Sequence, residues 1–88
     1  MWPEPYRNLR SVYGEYEGLS GELRLALGLR SERALALYAE EGELSEAYRR
    51  LMPHDTKGIA DFVDVCKARI ALLRADPALP PECRGAAA

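Results

Sequence analysis

The chain has 88 residues, with 12 Lys or Arg against 14 Asp or Glu and a net charge of −2. That length allows one small domain with one core and excludes an enzyme carrying a separate cofactor domain. No apolar run of about 18 residues is present to cross a membrane, and Met1–Pro5 has neither a basic start nor an apolar stretch, so a cytoplasmic location is the expectation.

Gln is absent, Asn8 and Thr56 are the only residues of their kinds, and Arg outnumbers Lys 10 to 2. Scarce amides with abundant Arg give a thermophile-like composition. Cys66 and Cys83 are too few for a disulfide scaffold and read as free thiols.

In chain order, Pro5 suits the first turn of a helix, and Tyr6, Leu9, Val12, Tyr13 and Tyr16 follow on one face. Gly18 is expected to end this first helix, with Ser20 capping the next. Leu23, Leu25, Leu27 and Leu29 alternate with other residues at strand period. A strand is rejected there, because Leu and Ala favour helix and a lone strand has nothing to pair with. The segment 20–41 is expected to be one long helix, with a break near Gly28–Ser31 as the alternative, Ser31 then capping the restart. Gly42 is expected to end it.

A short helix over 44–52 is predicted from Leu44, Ala47, Tyr48 and Leu51, closed by Pro53. Asp55 or Thr56 then caps the clearest helix of the chain, in which Ile59, Phe62, Val63, Cys66, Ile70 and Leu73 form one stripe. Val65 and Leu72 widen that stripe beyond a single seam, which makes them candidates for self-association into a dimer. Asp76-Pro77 stops the helix. The expected organisation is thus all-α, a small antiparallel bundle of about four helices over residues 1–77, with a disordered tail at 78–88.

Tyr38, Gly42, Ala47 and Leu51, spaced Y-x3-G-x4-A-x3-L, resemble the turn region of a tetratricopeptide repeat. The resemblance implies a helical hairpin turning at Gly42 and covers only Tyr38 to Leu51. It departs from the family's pattern at Ser31, at Ala34-Leu35 and at Ile59. One repeat cannot build a solenoid, which needs about three.

Chemistry-bearing patterns are sparse. His54 is the only His, and nothing fixes Ser45, His54 and Asp61 as a triad. No CxxC, HxxxH or ExxH spacing marks a metal site, and no glycine loop followed by Lys cradles phosphate. Glu40, Glu41, Glu43 and Glu46 read as solvated charges suited to the start of a helix at Leu44. No catalytic residue, cofactor or metal ligand is therefore assigned.

Trp2, Tyr6, Tyr13 and Tyr16 crowd four large rings into the first 16 residues, and such rings anchor protein interfaces. The expected function is accordingly a non-catalytic protein-interaction module: an adaptor, a regulatory subunit or a small chaperone, working on another protein or on a second copy. The runner-up is a nucleic-acid-associated regulator using Arg24, Arg30, Arg33, Arg49 and Arg50 as an Arg-lined helix face.

Overall fold

The computed structural model describes residues 4–84, with side chains from Asn8 onward. Three α-helices follow one another, α1 (Glu4–Leu27), α2 (Glu32–Arg50) and α3 (Thr56–Arg74), and a single 3-10 turn spans Pro81–Cys83. The all-α class holds, with no strand among the described residues; the helix count is three and not four.

The missing boundary is at Gly18. A glycine inside a helix costs up to about 1 kcal/mol relative to Ala, whereas burying a Leu side chain is worth about 1.5–3 kcal/mol. Leu19 and Leu23 continue the stripe of Leu9, Val12, Tyr13 and Tyr16 into the core, so burial wins and α1 runs through Gly14, Gly18 and Gly21. Ser20 caps nothing. It is fully buried in mid-helix and donates its hydroxyl to Glu41 Oε2 at 2.6 Å.

The true stop lies at Gly28, whose φ of 92° is the only positive value among the described residues and belongs to the region glycine occupies without steric cost. Ser31 then caps α2 by accepting from Ala34 N at 3.2 Å. The segment 20–41 is therefore two helices divided at Gly28–Ser31.

Gly42 is exposed and interrupts nothing. Leu44, Tyr48 and Leu51 continue toward the core from Leu37, so the expected short helix is the second half of α2. The hairpin implied by the tetratricopeptide resemblance is absent, because its turn glycine is helical. α2 ends at Leu51, whose backbone turns extended two residues before Pro53.

α3 begins where expected, Asp55 accepting from Gly58 N at 2.9 Å, and buries Ile59, Phe62, Val63, Cys66, Ile70 and Leu73.

The stretch after Asp76 is not a disordered tail as far as Arg84. Asp76 accepts from Ala78 N at 2.9 Å, Leu79 is buried against the core, and Arg84 donates to the carbonyls of Asp76, Pro77 and Leu79. Prolines already restrict this segment in the unfolded chain, so one buried Leu and a few hydrogen bonds suffice to hold it. Residues 85–88 lie outside the described residues.

α1 is the central helix and packs on both others, while α2 and α3 hardly pack against each other. Tyr13 meets Tyr48 and Arg24 meets Tyr38, so α2 runs antiparallel to α1. Glu40 meets Arg69 and Arg33 meets Asp76, so α3 runs antiparallel to α2. No described helix is long and apolar enough to cross a membrane.

Candidate interaction surface

Tyr13 and Tyr16 form core and not surface. Tyr13 is buried, stacked on Tyr48 with ring centroids 4.4 Å apart and tilted against Phe62 at 5.8 Å. Such offset and tilted pairs add about 0.5–1.5 kcal/mol beyond the area they bury. Tyr16 is 0% exposed and donates its hydroxyl to Glu40 Oε1 at 3.0 Å. Burial first, then the Glu40 carboxylate, raises the Tyr16 phenol far above its ordinary value, and burial raises Tyr13 as well. The partner face expected from Tyr13 and Tyr16 is thus closed, because their rings fill the seam between the helices. The side chains of Trp2 and Tyr6, the other half of that expectation, lie outside the described residues.

The carboxylates that opposed those rings are also displaced from their expected role. With α2 continuous through Gly42, Glu40 and Glu41 stand in mid-helix and face its neighbours. Glu41 accepts from Ser20 Oγ and from Arg24 Nε, both at 2.6 Å, and Glu40 pairs with Arg69 at 3.5 Å besides accepting from Tyr16. Among the described residues no buried side-chain nitrogen or oxygen lacks a partner. The arrangement sets the register of α2 on α1, since sliding α2 by one turn would strand these charges away from water. The sequence signal was available: in a helix continued through Gly42, Glu41 falls on the same face as Leu37, Leu44 and Tyr48.

The five arginines of the runner-up do not share one face. Arg24 turns to Glu41 and lies over the Tyr38 ring at 5.3 Å, whereas Arg33 crosses to Asp76 beside α3. Arg49 and Arg50 both pair with Glu46. Arg30 is exposed in the α1–α2 turn. Four of the five cations thus pair with three carboxylates of the same chain, which weakens the positive field available to phosphates.

His54 is exposed in the turn before α3, and Asp61 pairs with Lys57 at 2.8 Å. No group of three or more His, Cys, Asp or Glu among the described residues is arranged to hold a metal ion. Both cysteines are free thiols. Burial pushes the Cys66 thiol up to about 11 and raises Cys83 as well, so neither is an activated nucleophile.

Val65 and Leu72 lie elsewhere, on the outer side of α3, 44% and 64% exposed. They are two turns apart on one edge with Ala68 between them, and Asp61 continues that edge. Leu72 also rims a cleft of about 190 Å³ between α2 and α3, floored by Leu23, Leu37 and Leu73. Arg33–Asp76 and Arg69–Glu40 bridge that cleft. The Asp76 carboxyl is held below its ordinary value, by the Ala78 N–H first and by Arg33 second.

No protein-family model matches the chain, and no curated protein or solved structure is significantly similar to it.

Proposed function

We propose that this protein is a non-catalytic, cytoplasmic helical interaction module that receives a partner protein on the outer edge of α3. The observation that supports it is the exposure of Val65 and Leu72 on a helix whose opposite face is fully committed to the core. Covering the two would withdraw apolar surface from water at about 25 cal/mol per Å², and the adjoining α2–α3 cleft gives a partner's side chain a place to enter, in the manner of helix-in-groove recognition. An adaptor, a regulatory subunit and a small chaperone all work this way.

The test is a paired binding and folding measurement. Val65→Glu with Leu72→Glu should leave the helical signal and melting temperature unchanged, because both side chains are exposed, and should abolish association measured by light scattering and affinity capture. Retained association in that variant refutes the surface. Association that collapses with added salt and carries absorbance at 260 nm would instead favour nucleic acid.

A further inference from the structure

The turn that separates α1 from α2 is held by few interactions. Ser31 N donates to Gly28 O at 2.9 Å, closing a four-residue turn with Leu29 and Arg30 at its corners. Gly28, Leu29 and Arg30 are all exposed, and a Cβ added at Gly28 would meet nothing within 4 Å. Within the turn itself the bend rests on the left-handed φ of Gly28 and the Ser31 cap, its three exposed residues adding no core packing.

On either side of that turn the inward faces are in phase. Tyr16, Ser20, Leu23 and Leu27 are separated by four, three and four residues, and Ala34, Leu37, Glu41, Leu44 and Tyr48 continue the same alternation, with Arg30 at the one position between the two sets. An unbroken three-four spacing is the seam of a continuous helix. The contacts α1 makes with α2 are likewise centred on the turn: Tyr13 with Tyr48 and Ser20 with Glu41 are each equidistant from the peptide joining Arg30 to Ser31. Two straightened copies laid antiparallel about that point would therefore remake the same pairs between chains, and α1 of one copy would find the α3 of the other where its own had been.

We infer that the Gly28–Ser31 turn is a hinge through which two copies exchange α1, fusing α1 and α2 into one helix and forming a swapped dimer. Arg30 opposes it. In the fused helix Arg30 lies on the seam at the twofold axis, facing Arg30 of the second copy, so like charges hold the exchange in check. The inference uses the hinge and not the outer edge of α3, and stands independently of the surface proposed above.

Three substitutions test it, none altering a side chain the folded monomer buries. Gly28→Ala forces a left-handed Ala in the bent form and favours the straight one; with two hinges per dimer it should raise the dimerisation constant on the order of 100- to 1000-fold. Arg30→Leu removes the central repulsion and completes the seam. Leu29→Pro occupies the first corner of the turn, where Pro fits, and breaks a continuous helix. The full chain and each variant are refolded from guanidinium at high chain concentration and read by light scattering and small-angle scattering.

The expected result is a dimer in Gly28→Ala and Arg30→Leu, carried by a helix of roughly 70 Å at 1.5 Å per residue against a longest monomer extent of 39 Å. Leu29→Pro should stay monomeric with its melting temperature retained. Ser31→Ala, which weakens only the bent form, is the second probe should Gly28→Ala fold poorly. Monomers throughout overturn the inference, and so does a dimer that survives Leu29→Pro. A dimer abolished by Val65→Glu with Leu72→Glu belongs to the α3 edge and also overturns it, while leaving the proposed surface intact.

Discussion

α2 and α3 are both 19 residues long and both lie on α1, yet α3 buries six side chains and α2 only Ala34. α3 is held by area. Ile59, Phe62, Val63, Cys66, Ile70 and Leu73 interlock with the stripe of α1 from Leu9 to Leu23, so its position follows from how much apolar surface that contact removes from water. α2 contributes a fringe of half-buried residues, Leu37, Leu44 and Tyr48, and is registered by Glu40 and Glu41 on Tyr16, Ser20, Arg24 and Arg69. Apolar contact tolerates small shifts, whereas bonded charges withdrawn from water do not. One helix supplies most of the cohesion and the other is placed by a few directional bonds.

The largest expected effect is therefore on the α3 side. Phe62→Ala removes a ring packed against Tyr13 and Tyr48 and should cost about 3–5 kcal/mol, read as a shift in the urea midpoint. Leu37→Ala, at the corresponding seam of α2 but only half-buried, should cost less than half as much. Equal losses would mean that α2 contributes core area its exposure does not suggest.

Next comes the registering bond itself. Glu41→Gln keeps the shape of the side chain but removes the charge that Arg24 and Ser20 face, and should cost about 2 kcal/mol, below the value for a fully buried pair because both partners keep some contact with water. Replacing Arg24 and Glu41 together with Met should recover much of that loss, since the unpaired charge goes too. A double variant as unstable as the single one would show that the pair contributes stability of its own beyond register.

How legible these two helices were in the sequence follows from the same physics. α3 showed itself because its stripe is purely apolar and bounded by Asp55 and Asp76-Pro77, local signals that match the tertiary outcome. α2 did not, because its inward face carries Glu40 and Glu41, which read as solvated when Gly42 is taken as a stop. The glycine rule states a local cost near 1 kcal/mol; the burial of Leu19, Leu23 and Tyr48 that outweighs it depends on other helices. Ser31 was readable as a cap because that bond is local. Leu79 was not, as one Leu among prolines has no period. The tyrosines illustrate the limit for the site: an aromatic stripe looks alike whether it faces a partner or its own core, and only the opposing Tyr48 and Phe62 decide it.

The polar side of the comparison also responds to pH, in two opposite windows. Below about pH 10 the Tyr16 phenol is protonated in folded and unfolded chains alike, so its preference for the neutral form is fully satisfied. As pH rises further the unfolded chain releases that proton while the folded one, its phenol raised by burial and by Glu40, retains it. Stability therefore falls above about pH 10, and Tyr16→Phe should flatten part of that fall. Asp76 acts at the other end. Its carboxyl is held below the ordinary aspartate value, so its contribution is present above the unfolded value and is lost as pH falls through the lower folded value. Asp76→Asn should remove that acid dependence and leave the alkaline limb untouched. Melting temperatures across pH 2–12 read both, and an unchanged alkaline limb in Tyr16→Phe would mean that the hydroxyl ionises as freely folded as unfolded.

The smallest effects separate two glycines that look equivalent in the sequence. Gly42 in α2 is exposed, and a Cβ there would meet nothing within 4 Å, so Gly42→Ala should stabilise by close to the full helix-propensity difference of about 1 kcal/mol. Gly58 in the first turn of α3 offers the same propensity gain, but its Cβ would collide with the Asp55 carboxylate that caps the helix by accepting from Gly58 N. Displacing that cap costs about 1 kcal/mol, which cancels the gain. Gly58→Ala should consequently leave the urea midpoint nearly where it was. Combined with Asp55→Ala, which already lacks the cap, the same Gly58→Ala change should become stabilising by about 1 kcal/mol, because there is no longer a carboxylate to displace. A Gly58→Ala effect identical in both backgrounds would show that the carboxylate swings aside without losing its bond, and that α3 starts on propensity and core contact alone.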